Sequence, residues 1–201
     1  MFLKSPPPLI LASTSRYRKE LLGRLGLAFS CIAPGVEESA HPGEAPRALV
    51  ARLARAKAAS IASQQPKAWV IGSDQTAALP DQTGISMLGK PGTAARCIEQ
   101  LQSCSGRTIE FLTAVAVMRQ ESNTLFEFID TTRVTFRVLD QSTIERYVAK
   151  EQPLDCAGGF KSEGLGIALC ESIDSADPSA LIGLPLIRLS AALRQAGFEL
   201  P

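Results

Sequence analysis

Side chains able to handle phosphate and metal fall in a few short blocks of this chain. The first is Ser13-Thr14-Ser15-Arg16-Tyr17-Arg18. Hydroxyls and free amides at the start of a helix, with arginines beside them, make a natural phosphate seat. The same residues equally suit a plain N-cap with a solvated first turn. Further on, Leu49, Val50, Leu53, Ala54 and Ile61 define one apolar helical stripe with Lys57 in its middle, while Arg52 and Arg55 point the other way. A lysine so placed either snorkels to the edge or keeps its charge by meeting a buried anion, and a triphosphate is such an anion. Asp74 follows Trp69-Val70-Ile71-Gly72-Ser73, where an apolar strand is expected to run out. Ligands of open α/β sheets gather at the carboxyl ends of strands, although an Asp there equally caps its own turn.

Gly84-Ile85-Ser86-Met87-Leu88-Gly89-Lys90-Pro91 has the glycine and lysine spacing of a P-loop. Pro91 lacks both the hydroxyl and the amide that such a loop uses, so a P-loop is excluded and Lys90 is read as a separate phosphate contact. The segment Asp155-Cys156-Ala157-Gly158-Gly159-Phe160-Lys161-Ser162-Glu163-Gly164 sets two acids and a lysine on a glycine-rich loop, or on a flexible surface loop of no chemical consequence. Glu37, Glu38, Asp74, Asp155 and Glu163 together offer the oxygen donors that a hard magnesium or manganese ion prefers.

His41 is the only histidine. Ser-His-Asp triads and poly-histidine zinc sites are therefore removed unless His41 itself serves, and it lies in a loop-like Ser-Ala-His-Pro-Gly-Glu stretch. Chemistry is left to carboxylates, lysines and metal. A formal charge of +1 over 201 residues, with 45% hydrophobic and 20% charged side chains, gives no bulk basicity for a nucleic-acid polymer. Any anion must be met by local charge. The five cysteines are odd in number and include no Cys-x-x-Cys pair, which argues against a disulfide framework or zinc site and for a reducing compartment. The apolar run Leu9 to Ala12 is too short for a signal-peptide core or a membrane span, so a cytoplasmic protein with no membrane association is expected.

These blocks need a sheet and helices to position them. Leu9-Ile10-Leu11-Ala12 reads as a buried strand, followed by a helix with Leu21, Leu22 and Leu25 on one face. Phe29 to Ala33 reads as a returning strand, and Val36-Glu37-Glu38 opens a polar loop to Pro46, which suits a first helical turn. Thr108 to Met118 alternates as a half-buried strand should, and Leu125 to Leu139 is expected as strand with Val134, Phe136 and Val138 on one face. Ser142 with Glu145 resembles a capping box, and Pro185 starts a last helix through Leu189 and Leu193. Residues 1–8 read as a flexible tail, and 9–201 as a single domain.

Several of these blocks, in order, resemble the Maf-like nucleotide pyrophosphatases, from Leu9 to about Arg194. Leu9-Ile10-Leu11-Ala12-Ser13 with Arg18 is similar to the family's opening signature, Val36-Glu37-Glu38 to its acidic motif, and Leu53-Ala54-Arg55-Ala56-Lys57-Ala58 to its lysine helix. Gly72-Ser73-Asp74, Gly89-Lys90-Pro91 and Gly183-Leu184-Pro185 match later blocks. The resemblance implies an elongated α/β fold of the Maf and inosine-triphosphatase type, a mixed sheet flanked by helices, with two lobes and a deep cleft, often dimeric. It implies cleavage of a nucleoside triphosphate between the α and β phosphates with Mg2+ or Mn2+. By position, Asp74 activates the water, Glu38 and Asp74 hold metal, and Ser13, Arg18, Lys57 and Lys90 grip the triphosphate. Lys161 on the glycine-rich loop is counted with them.

Tyr17, Gln75 and Glu163 resemble the subgroup that prefers 7-methyl-GTP, where the pyrimidine subgroup usually has Arg, Thr and Gln. A methylated guanine is cationic, so an aromatic face and a carboxylate suit it. Arg16 departs from the family's usual Pro, Tyr17 stands where Trp is common, and Leu79 to Leu88 reads as an insertion lengthening the loop before Lys90. The leading expectation is a 7-methyl-GTP pyrophosphatase clearing modified nucleotides from the pool. The alternatives are a dTTP/UTP pyrophosphatase of the same family and a nucleotide-binding regulator of cell division with little turnover.

Overall fold

A computed structural model describes residues 7–201 other than 82–83, so most of the tail expected over 1–8 lies outside the described residues. Strands and helices alternate as β1 (Leu9–Leu11), α1 (Arg16–Gly23), β2 (Ser30–Cys31), α2 (Pro46–Ala62), β3 (Trp69–Asp81) and β4 (Gly84–Leu88). Then follow α3 (Ala94–Cys104), β5 (Thr108–Arg119), β6 (Thr124–Phe136), α4 (Gln141–Glu151), β7 (Cys170–Asp174) and α5 (Leu186–Gln195). The strands form a seven-stranded sheet in the order β2-β1-β3-β5-β6-β7, with β4 paired to β3. Pairing is mixed, as expected: β1 runs parallel to β2 and β3, while β3–β4 and β6–β7 are antiparallel.

By compactness the chain divides into two units, the first taking residues up to Asp74, Thr113–Asp130 and Gly183–Pro201, the second Gln75–Leu112 and Thr131–Ile182. In the first unit β1 pairs residue for residue with the start of β3, from Leu9↔Trp69 to Leu11↔Ile71. The Trp69 N–H is bound by the Pro8 carbonyl at 2.8 Å, so the pairing begins one residue before β1. Pro46 occupies the first turn of α2, where its fixed φ suits a helix and its missing N–H costs nothing. Gly72 lets α2 lie directly on β3, since a Cβ there would stand 2.2 Å from the Ala54 carbonyl oxygen and 2.6 Å from the Ala58 nitrogen.

The second unit packs around Phe160, whose ring lies 5.6 Å from that of Phe111 and 5.1 Å, edge-on, from that of Phe136. Ile109, Leu101, Ile144 and Val148 close the same core. Cys97 is buried in it directly beneath Gly159 (φ +63), where a Cβ would lie 2.5 Å from the cysteine sulfur. The Cys97 thiol lies 3.8 Å from the Gly159 carbonyl.

Several sequence expectations need correcting. β3 does not end near Ser73 but continues through Asp81, because residues 77–81 pair with β4 in the register Ala77↔Leu88 to Asp81↔Gly84. The insertion at Leu79 to Leu88 is thus a hairpin rather than a long loop. β5 is not half-buried: every residue from Phe111 to Val117 is buried, as befits a strand flanked by β3 and β6. β6 stops at Phe136, leaving Val138 87% exposed. The cap of α4 is Asp140, whose carboxylate accepts the Thr143 N–H at 2.7 Å and the Ser142 hydroxyl at 2.9 Å.

Candidate active site

Alternation along β3 sends Ser73 and Gln75 to one face and Asp74 to the other, toward α2. Lys57, in the middle of α2's apolar stripe, is 4% exposed and therefore does not snorkel. Its ammonium donates to Asp74 Oδ1 at 2.7 Å and pairs with Glu38 Oε1 at 2.6 Å. The buried anion it meets is a carboxylate of its own chain. Arg52 and Arg55 face away, as the helical period requires, and pair with Glu44 and Glu127.

Burial holds the Asp74 carboxyl above the ordinary carboxylate range, while the cations of Lys57 and Arg18 pull it down. Arg18 sits in the same field: burial lowers its pKa, and the charges of Asp74 and Glu38 oppose that shift. Its Nε donates to the Gly183 carbonyl at 3.2 Å, which also accepts the Ser73 hydroxyl at 3.0 Å. One backbone carbonyl thereby ties the start of α1 to β3. Ser13 is buried just past β1, its Oγ accepting the Ser15 N–H at 3.1 Å. Ser15 caps α1, so the hydroxyl-rich turn is an N-cap whatever else it binds. Tyr17 is half-buried, its hydroxyl accepting from Arg16 at 2.6 Å, and the Arg16 guanidinium lies 4.7 Å from the centre of its ring.

Of the neighbouring acids, Glu38 reaches Lys57, whereas Glu37 turns back to accept the Ser39 hydroxyl at 2.6 Å and its N–H at 3.1 Å. Among the described residues no group of three or more His, Cys, Asp or Glu is placed to hold a metal.

The second unit contains an open pocket of about 410 Å³ lined by Ser162, Glu163, Ile173, Ser175, Pro178, Leu181 and Ile182. Glu163 is exposed at its rim. The Gln75 amide donates to the carbonyls of Ala180 at 3.1 Å and Leu181 at 3.0 Å, so it braces one wall. Lys161 is half-buried, its ammonium 2.5 Å from Glu151 Oε1. Lys90 is exposed in the turn after β4, and the carbonyl of its neighbour Gly89 accepts the Gly158 N–H at 3.1 Å.

The family model described as Maf-like protein matches residues 8–196. The chain belongs to the Maf family. A 7-methyl-GTP pyrophosphatase of Xanthomonas axonopodis pv. citri (strain 306) is 53% identical to this Maf chain over 97% of its length and 100% of the relative's. One from Alkalilimnicola ehrlichii (strain ATCC BAA-1101 / DSM 17681 / MLHE-1) is 52% identical over 96% of each. Among solved structures, a HAM1 protein from Coxiella burnetii superposes with a TM-score of 0.55 at 16% identity, covering 94% of this chain and 99% of that one, which shows a shared fold. No helix among the described residues is long and apolar enough to cross a membrane.

Two groups of this Maf chain escaped sequence reading. The Ser73–Gly183–Arg18 junction joins residues far apart in the chain, and no local pattern announces it. Glu151 and Tyr147 are four residues apart on one face of α4, and both bond the glycine-rich loop that follows. Such a polar i, i+4 pair immediately before a glycine-rich loop was the available signal.

Proposed function

We propose that this Maf chain hydrolyses 7-methyl-GTP to its monophosphate and pyrophosphate, removing a modified nucleotide from the precursor pool. The observation that carries the reading is Asp74, buried, facing α2 and fixed through one oxygen by Lys57. A carboxylate whose pKa is raised by burial is a better proton acceptor than an exposed one. Asp74 takes a proton from water as that water adds to the α-phosphorus. The bond from the α-phosphorus to the bridging oxygen breaks and pyrophosphate leaves with that oxygen. Lys57 orients the base, and Arg18, held by Gly183, keeps a cation beside the developing phosphate charge.

Asp74 and Glu38 fit a divalent metal of the Mg2+ or Mn2+ kind. Both present hard oxygens beside the Lys57 ammonium, and such ions commonly take one or two carboxylates plus substrate phosphates. A bound ion would supply Lewis-acid polarisation of the triphosphate. Ser13 and Lys90 remain phosphate contacts in this reading, while Lys161 stays paired with Glu151. Base choice belongs to Tyr17 and Glu163. The Tyr17 ring already carries a planar cation, that of Arg16, and 7-methylguanine is another. The exposed Glu163 carboxylate offers the opposite charge, and Gln75 acts on the pocket through its wall. A cytoplasmic location and a homodimer complete the proposal.

The test is release of pyrophosphate from 7-methyl-GTP, GTP, dTTP, UTP and CTP with Mg2+ or Mn2+, with Asp74→Asn alongside. Preferred turnover of 7-methyl-GTP and a nearly dead variant support the reading. Faster turnover of dTTP and UTP would keep the chemistry and overturn the base assignment. Binding without cleavage would favour a regulator.

A further inference from the structure

The turn that carries Glu163 is gripped at both ends by one carboxylate. Glu151, the last residue of α4, pairs through Oε1 with Lys161 Nζ at 2.5 Å and accepts the Leu165 N–H through Oε2 at 2.7 Å. Glu163 lies midway between those two anchors. Between them the chain closes on itself, with the N–H groups of Gly164 and Gly166 donating to the Lys161 carbonyl at 3.3 and 3.1 Å. Gly164 is what allows the carboxylate to lie flat on the turn, since a Cβ there would be 2.5 Å from Glu151 Oε2 and 2.7 Å from Oε1. One helical turn earlier, the Tyr147 hydroxyl accepts the Lys161 N–H at 3.0 Å and donates to the Gly159 carbonyl at 3.2 Å. The Glu151 side chain is 11% exposed, so these charge-assisted bonds are little weakened by water. Its pKa is lowered, first by Lys161 and then by the Leu165 N–H, so the carboxylate stays ionised.

We infer that Glu151 is a positioning residue for base selectivity: it fixes the 161–165 turn so that Glu163 presents its carboxylate to the 410 Å³ pocket. This rests on the proposed role of Glu163. Tyr147 secures only the start of the turn, so without Glu151 its Glu163 side is held only by the Gly164 and Gly166 bonds to the Lys161 carbonyl. Glutamine at 151 keeps one acceptor for Leu165 but loses the ion pair with Lys161.

The experiment measures kcat and KM for 7-methyl-GTP and GTP in the native chain, Glu151→Gln, Glu163→Gln and the double variant. Bonds to charged groups of this kind correspond to a selectivity loss of about tenfold or more. Glu163→Gln should lower the ratio of kcat/KM for 7-methyl-GTP over GTP by that order. Glu151→Gln should lower it comparably, with the loss falling on KM for 7-methyl-GTP, and the double variant should be no worse than Glu163→Gln alone. If Glu163→Gln lowers the ratio and Glu151→Gln does not, or if the two losses multiply, the inference falls and the function stands. If Glu163→Gln leaves the ratio unchanged, the base assignment fails and takes the inference with it. Should Glu151→Gln not fold, Gly164→Ala decides, because it displaces the carboxylate without removing a charge and must give the same selectivity loss.

Discussion

Replacing Lys57 by methionine removes the cation bonded to Asp74 while keeping the bulk of the side chain in the stripe of α2. At 2.7 Å the pair's attraction is about 6 kcal/mol with an effective dielectric constant near 20. Measured losses on breaking buried pairs are smaller, about 3–5 kcal/mol. Protonation gives Asp74 a route within that range, since taking a proton at pH 7 costs about 4 kcal/mol relative to a free aspartate. Lys57→Met is therefore expected to lose about 4 kcal/mol at pH 7 with Asp74 protonated. The sign follows: the folded variant then holds a proton that its unfolded chain lacks, so its stability rises as pH falls, by about 1.4 kcal/mol per unit. Urea denaturation followed by Trp69, the only tryptophan, buried and stacked 5.8 Å from Phe126, reads the deficit against the native chain at pH 7 and pH 6. The acid limb of kcat/KM should move upward in the same variant. A deficit below about 1 kcal/mol, or one unchanged between the two pH values, would refute the coupling of Lys57 to Asp74.

Glu38→Gln removes a like charge that helps to raise Asp74, so the acid limb of the pH profile should move down. The shift should be under about one unit because Glu38 is 54% exposed, and half-saturation in Mg2+ should rise with it. Gly72→Ala should destabilise the fold by about 1–3 kcal/mol or more, read from the urea midpoint, because the new methyl meets the backbone of α2 rather than a side chain that could swing away. An unaltered midpoint would show that α2 rides further from β3 than described. Arg16→Ala uncovers the Tyr17 ring, and the cation–π contact given up predicts a KM for 7-methyl-GTP lower by about two- to fivefold. No change in KM would remove Tyr17 from base recognition.

The reacting cluster was legible where a single period governs it. Lys57 stands out because the 3.6-residue repeat of α2 is unbroken on both sides, and its place in the apolar stripe follows from that arithmetic, whereas the choice between snorkelling and burial does not. Asp74 was picked out for a reason only partly right. The parallel pairing with β1 does end at Ile71, but β3 runs on, because Ala77 to Asp81 find a partner strand across a hairpin that Pro80 made hard to foresee. Alternation from Thr108 to Met118 suggested a half-buried strand, whereas its middle, Phe111 to Val117, is buried throughout. The cap of α4 lies at Asp140, two residues before the Ser142 expected, an offset that local pattern seldom resolves. The pairing of Glu151 with Lys161 and Leu165 depends on how a glycine-rich turn folds back, and nothing in the order of residues encodes that directly.

The cysteine lying under Gly159 gives the molecule a built-in chemical clock. Burial pushes the Cys97 thiol up to about 11, and the glycine above it leaves no approach for a reagent while the 157–166 segment is seated. Alkylation of Cys97 in native buffer therefore proceeds only through molecules in which that segment has lifted. Where reseating outpaces alkylation, the rate at which Cys97 is modified reports the population of lifted molecules, and the exposed Cys31 in the same sample calibrates the reagent itself. A nucleotide that seats against the segment would lengthen the interval between events, and a ligand bound elsewhere would leave it unchanged. Occupancy of the selectivity turn thus becomes a time, measurable by mass spectrometry without any turnover.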